Sequence, residues 1–275
     1  MDIPIAAAER SEAETLFDFE AAAPAEDRAA LGMSQTRIGG GVVLSMRNDP
    51  INYWSKALGF GFDAPVTVEL IEEVCEFYRV EGTPEADLHV APSVLPDNWS
   101  EICAKVGLTA GPKWVKLGCM VDVAVRNANP PTGLRVGQPR GDEARTWGTT
   151  LLRGYGAPAD ELVGMFADLV DRPGWLTFAG RLDDAIVSTG ALYVHDDIGH
   201  CFGGATLVEA RGRGGQSGLL AARARAAQEA GCRWLVAETG AEEQGEHNSS
   251  LHNMLRLGFE VLYESQSWIW RPDGG

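Results

Sequence analysis

Between Cys201 and Glu238 the chain reads CFGGATLVEA, RGRGGQS, GLLAARARAAQEAG and CRWLVAE: an apolar run, an arginine–glycine cluster, an alanine-rich segment and a second apolar run. Gly212, Gly214 and Gly215 have no Cβ, so the backbone there can take positive φ and approach a ligand closely. Arg211 and Arg213 add positive charge to the same cluster. A helix opening at Ser217 would present N–H groups that lack an intrahelical acceptor at the positive end of its dipole. Residues of these types at this spacing suit one task, the grip of a phosphorylated ligand.

The elements that must position this loop narrow the choice of ligand. A Walker A loop needs a Lys after its second glycine, and no Lys follows Lys116. A dinucleotide fingerprint is the closer rival: Gly212 and Gly214 fit it, Ser217 stands where its third glycine belongs, and Glu238 ends the next strand. Ahead of the loop, however, Trp175–Leu182, Ala185–Val194 and His200–Val208 read as three strands in succession, joined at Asp183-Asp184 and Asp196–Gly199. A doubly wound sheet requires crossover helices between such strands, so the meander speaks against it. Cys232–Ala237 reads as the strand after the loop helix.

The order R-G-R-G-G-Q-S-G-L-L after a strand resembles the acetyl-CoA loop of the GNAT N-acetyltransferase superfamily, R/Q-x-x-G-x-G/A. Arg211 and Gly214 match it, and Gln216 stands where a small residue is usual. Asn248, followed by a short helix ending in Leu257-Gly258-Phe259, is similar to a later segment of the same family. The resemblance implies acetyl-CoA as co-substrate. The backbone of Gly204, Ala205 and Thr206 would pair with its pantetheine arm; Arg211, Gly212, Arg213, Gly214, Gly215, Gln216 and Ser217 would hold its pyrophosphate; and Asn248 would contact it or cap the last helix. The implied activity is acyl transfer to a primary amine of a small molecule. An acyl-CoA-binding or regulatory module without turnover is the alternative, and a nucleotide-cofactor oxidoreductase the third reading.

Glu209 and Glu238, at strand ends beside the expected cleft, are the candidate bases, set against an ion pair with Arg211 or Arg213 for the first and a strand-end cap for the second. The family's usual proton donor, a Tyr four residues before the Gly-Phe pair, is replaced by Met254, and Tyr263 falls in the next strand. Trp147 and Tyr155 lie where acceptors enter in this family. His195 sits in a turn, His200 opens a strand, and His247 and His252 flank Asn248. No His, Asp and Glu set shows metal-ligand spacing, so no metal is expected.

At 275 residues the chain has room for two domains. The fold expected is α/β (α+β): two GNAT-like domains, each a mixed, mostly antiparallel central sheet flanked by helices. Residues 1–127 form a degenerate copy without a cofactor loop, and 128–275 the acetyltransferase domain. Arg126–Gly133, with Pro130-Pro131, is the expected linker. In the first half, helices over Ala6–Leu31 break near Pro24; Gly39–Met46 and Asn52–Phe62 hold strands; Val66–Val80 is an amphipathic helix with Thr67 as its N-cap. Leu58-Gly59-Phe60-Gly61 then falls where the phosphate loop would be, with no arginine. Trp268 and Trp270 alternate on one face of a final strand, a packing pattern.

A net charge of −16 repels nucleic acid and mildly favours a cationic substrate. Five scattered cysteines without a CxxC pair fit reduced thiols in a cytoplasmic protein. No apolar run reaches the roughly 18 residues of a membrane span. The expected partner is therefore a small-molecule amine, with neither nucleic acid nor membrane; a homodimer is left open.

Overall fold

The computed structural model describes residues 3–128, 133–243, 245 and 247–272. The chain forms two compact units, one of Pro4–Val115 with Tyr263–Gly275, the other of Met1–Ile3 with Lys116–Leu262. This division differs from a boundary at 127/128. Arg126 and Asn127 close a helix, and Pro130-Pro131 lie outside the described residues. Lys116 thus belongs with the C-terminal loop, and the terminal tryptophans with the N-terminal half.

The N-terminal unit begins with α1 (Ile5–Ala21) and α2 (Ala25–Leu31), separated as expected near Pro24. A hairpin follows, β1 (Met33–Ile38) and β2 (Gly41–Met46), turning on Gly39 and Gly40, both at positive φ. The polar sequence MSQTRI hid β1, because only its first and last residues are buried. Next come β3 (Lys56–Leu58), α3 (Val68–Glu81), β4 (Ala86–Leu88), α4 (Trp99–Val106) and β5 (Thr109–Met120). The strand order is β1-β2-β3-β4, then the last strand of the chain, β11 (Glu260–Trp270), then β5. One face of α3, carrying Ile71, Val74, Cys75 and Tyr78, packs into a core that includes Trp99, Ile102 and Trp270. Trp270 stacks on Tyr78 at 5.4 Å and Trp268 meets Trp99 edge-on at 5.7 Å, so the alternating tryptophans are core residues.

The C-terminal unit continues from β5 through α5 (Val121–Asn127), β6 (Arg135–Gly137), α6 (Ala144–Tyr155) and α7 (Val163–Ala167). The antiparallel meander β7 (Trp175–Leu182), β8 (Ala185–His195) and β9 (Ile198–Thr206) leads into α8 (Gly215–Glu229); β10 (Trp234–Gly240), α9 (Ser249–Leu257) and the start of β11 complete it. The order β5-β10-β9-β8-β7-β6 is antiparallel in its ladders β6–β7–β8–β9 and parallel between β9 and β10. The four turn residues between β8 and β9 reduce to two, with Asp196 at φ 52°. An Asp tolerates that left-handed conformation better than most residues, which is what the tight reversal requires.

Candidate active site

The glycine-loop region begins where two strands stop pairing. β9 and β10 pair over Ile198–His200 and Trp234–Val236 only, yet β9 runs on to Thr206 and β10 to Gly240. Beyond His200 the edge of β9 facing away from β8 therefore makes no ladder bonds with β10. On its other edge β9 carries a bulge: Thr189 pairs with Ala205 but Ala191 with Phe202, so Gly203 and Gly204 stand opposite Gly190 alone. Gly203 sits at φ 62°, a conformation that favours glycine, and a Cβ there would have to displace Leu151 Cδ1, 2.9 Å away.

Three side chains hold this bulge, and the sequence reading missed all three. Ser188 Oγ donates to the Ala205 carbonyl at 2.9 Å, and Thr189 Oγ1 to that of Gly203 at 3.3 Å. The buried Arg223 reaches from α8 to the carbonyls of Phe202 and Ala191 at 3.4 and 3.5 Å. The available signal for Arg223 was its place four residues after Leu219 and four before Ala227, on the buried face of α8.

The strand ends at Thr206 and not at Val208; Val208–Ala210 is a 3-10 turn. Leu207 and Ala210 anchor it against Leu134 and Val187. Arg211 donates from Nε to the Thr206 carbonyl and from Nη2 to that of Gly154, both at 3.3 Å, so it straps the turn to the end of α6. The helix opens at Gly215, two residues earlier than Ser217. Its N-cap is Gly214 in the left-handed region, φ 76°, where no side chain can cap. The first intrahelical bond runs from Gly218 N to Gly214 O, leaving the amides of Gly215, Gln216 and Ser217 ahead of it. Gly212, also at φ 76°, faces open space, whereas a Cβ on Gly215 would meet Leu134 Cδ1 at 2.9 Å. Arg213 is exposed on the loop, and Ser217 in the first turn of α8.

Gln216 points elsewhere: its Nε2 donates to Ser250 Oγ at 2.7 Å and its Oε1 accepts from Asn253, both on α9. Asn248 is the N-cap of that helix, accepting from Ser250 N and Leu251 N and donating to Thr239 Oγ1 and the Gly240 carbonyl. Both residues thus set the position of α9 beside the loop.

Glu238 lies two residues past the last ladder pair, on the β10 side of the divergence, and its Oε2 is 3.1 Å from Nζ of the buried Lys116. It is an interior member of β10, not a strand-end cap. Glu209 is exposed in the 3-10 turn and, among the described residues, forms no ion pair with Arg211 or Arg213. His200 lies inside β9, fully enclosed; burial, with Lys116 adding to it, pushes its imidazole down to about 3, so it is neutral and a poor base. His195 is partly exposed near Asp196.

Trp147 does not face an acceptor: it is buried and donates to the Phe178 carbonyl at 2.8 Å. Tyr155 is exposed at the end of α6. Met254 is buried, and Tyr263 belongs to the N-terminal unit, where its hydroxyl donates to Glu9. The fold brings Glu242, His247 and His252 together, three residues whose spacing in the sequence gives no ligand pattern.

The fold is that of known acetyltransferases. It matches a GCN5-related N-acetyltransferase from Kribbella flavida with a TM-score of 0.64 at 16% identity, over 97% of this chain and 95% of that one. A tandem GNAT protein from the clavulanic acid biosynthesis pathway matches at 0.60 and 15% identity, over 98% and 97% of the two chains. A GCN5-related N-acetyltransferase from Sphaerobacter thermophilus matches at 0.59 and 15%, over 85% and 82%. No protein-family model matches the chain, and no curated protein matches it in sequence. The chain has the GNAT fold, a mixed α/β architecture with a mostly antiparallel sheet, and no helix among the described residues is long and apolar enough to cross a membrane.

Proposed function

We propose that the C-terminal unit is an acetyl-CoA-dependent N-acyltransferase acting on a primary amine of a small molecule. The observation that carries this is the parting of β9 from β10 at His200, beside a helix that begins on an uncapped left-handed glycine. The residues fit the cofactor: the amides of Gly215, Gln216 and Ser217, with the open backbone at Gly212, would hold the pyrophosphate, and the unpaired edge of Gly204–Thr206 the pantetheine arm. Bound acetyl-CoA supplies an acyl group activated as a thioester.

The chain's own contribution is to place donors and to move protons. Forming the C–N bond releases a proton from the amine and breaks the C–S bond to a thiolate that must be reprotonated. Glu238 is the better-placed base: it lies where the strands part, with Nζ of Lys116 3.1 Å from its carboxylate. A proton taken directly or through one water fits that position. Amides on the unpaired edge of β9 would polarise the thioester carbonyl, a contribution of about 3 kcal/mol when such a donor is removed. A second reading, acyl-CoA binding without turnover, is favoured by Met254, whose thioether has no proton to give the thiolate.

Free-thiol release from acetyl-CoA, measured across a panel of small amines, tests both. Release that falls at least tenfold in Glu238→Gln and is little changed in Glu209→Gln supports the first reading. Tight acetyl-CoA binding with no release across the panel supports the second, and preference for NAD(P) over coenzyme A defeats both.

A further inference from the structure

The connection from β10 to α9 brings together three side chains that the acyl-transfer reading does not use. Glu242, His247 and His252 each present a ligand atom, and these atoms lie within 4.8 Å of one another. Nε2 of His252 is 2.9 Å from Glu242 Oε1, and Nδ1 of His247 is 3.7 Å from the same oxygen. The two imidazoles stack with centroids 4.5 Å apart and 23° between planes.

Hydrogen bonding accounts for part of this arrangement only. Glu242 Oε1 accepts from the Asn248 N–H at 2.5 Å and lies within hydrogen-bond reach of His252. His247, at 3.7 Å, is too far for a hydrogen bond yet presents its nitrogen to the same oxygen. The backbone that sets the three is itself fixed, because Asn248, next to His247, caps α9 and ties back to Thr239 and Gly240. Two imidazole nitrogens and a carboxylate oxygen at such separations form the donor set of a borderline divalent cation. The ligands are partly or fully exposed, which leaves room for water in the remaining positions.

We infer that Glu242, His247 and His252 form a surface site for a divalent transition cation of the Zn²⁺ class, through His247 Nδ1, His252 Nε2 and a carboxylate oxygen. Occupancy would tie the start of α9 to the end of β10. The inference is independent of acyl transfer, since the site contains none of the residues assigned to that chemistry.

The test is calorimetric titration of the full chain with Zn²⁺, backed by the visible absorption of added Co²⁺. One equivalent is expected, weakened at least tenfold in each of His247→Ala and His252→Ala and unchanged in His195→Ala. Zn²⁺ should also raise the thermal midpoint of the native protein and not that of the double variant. No uptake by the native protein, or equal uptake by the His247→Ala/His252→Ala double variant, would overturn the inference.

Discussion

Each unit contains a passage from a strand through a glycine-bearing turn into a helix, and the two differ in what they do with the first amides of that helix. In the C-terminal unit α8 starts on Gly214, which has no side chain to cap it, and its first turn contains no acidic residue. In the N-terminal unit α3 starts on Thr67, whose Oγ1 accepts from Leu70 N at 3.3 Å, and Glu69 stands in its first turn. There the helix terminus is satisfied from within and carries a negative charge where a phosphate would have to lie. Gly59 and Gly61 have positive φ, as Gly212 and Gly214 do, but a Cβ on Gly61 would meet Val94 at 2.6 Å. The cavity beside Gly59, about 270 Å³, is lined by charges already matched: Arg10 with Asp63, and Arg37 with Glu14. Glycine and positive φ are common to both turns; donors left over for a ligand are not.

The largest effect should come from the charges on the strands themselves. Lys116 in one unit and Lys56 in the other are both buried, but Lys116 lies 3.1 Å from Glu238, while Lys56 lies 3.8 Å from Asp87 and over the ring of Tyr53. Removing one member of a buried ion pair costs about 3–5 kcal/mol. Lys116→Met should accordingly lower the denaturant midpoint sharply, and a Lys116→Met/Glu238→Leu double variant should recover much of that loss without recovering thiol release. Equal loss of release in Lys56→Met would break the distinction between the units.

Next in size is the loop. Gly214→Asp puts a side chain and a negative charge at a left-handed N-cap, and should weaken acetyl-CoA binding by well over tenfold, about 1.4 kcal/mol or more. The equivalent change at Gly61 should leave binding unaltered while costing stability through its contact with Val94. Isothermal titration of both variants decides the point.

A comparable effect attaches to pH. His200 is held neutral in the fold, at about 3 against an ordinary value of 6.5. Above 6.5 neither folded nor unfolded imidazole binds a proton, and this group leaves stability unchanged. As pH falls from 6.5 towards 3 the unfolded chain takes up a proton the folded one refuses, so stability is lost at up to about 1.4 kcal/mol per pH unit. Denaturation curves of His200→Gln over that interval should show a shallower acid slope.

How much of this was legible beforehand follows from where the information sits. The meander β7–β9, the helix over Val68–Glu81 with its Thr67 cap, and the glycine loop are local patterns, and the sequence shows them. The parting of β9 from β10 is not legible in the sequence, because pairing that stops leaves no residue signature. Lys116 opposite Glu238 and Arg223 under the bulge depend on strands and helices distant in sequence. The same is true of Glu242, His247 and His252, whose five-residue steps match neither helix nor strand and meet only because Asn248 turns the chain into α9.

The smallest predicted effect is the sharpest test of the opening comparison. Thr67→Gly removes the hydroxyl that satisfies α3 from within, and Glu69→Gln removes the charge beside it. Losing a side-chain cap to glycine costs only a few tenths of a kcal/mol, so the double variant should fold and keep nearly its full stability. Its first turn would then resemble that of α8 in composition, with an open N-terminus and no carboxylate. The cavity beside Gly59 would still be lined by the Arg10–Asp63 and Arg37–Glu14 pairs, and Gly61 would still be closed by Val94. Titration with acetyl-CoA should therefore show a single binding event, weakened well over tenfold by Gly214→Asp. A second event in the Thr67→Gly/Glu69→Gln protein would mean that capping alone had silenced the N-terminal turn, and that the walls around it matter less than the terminus.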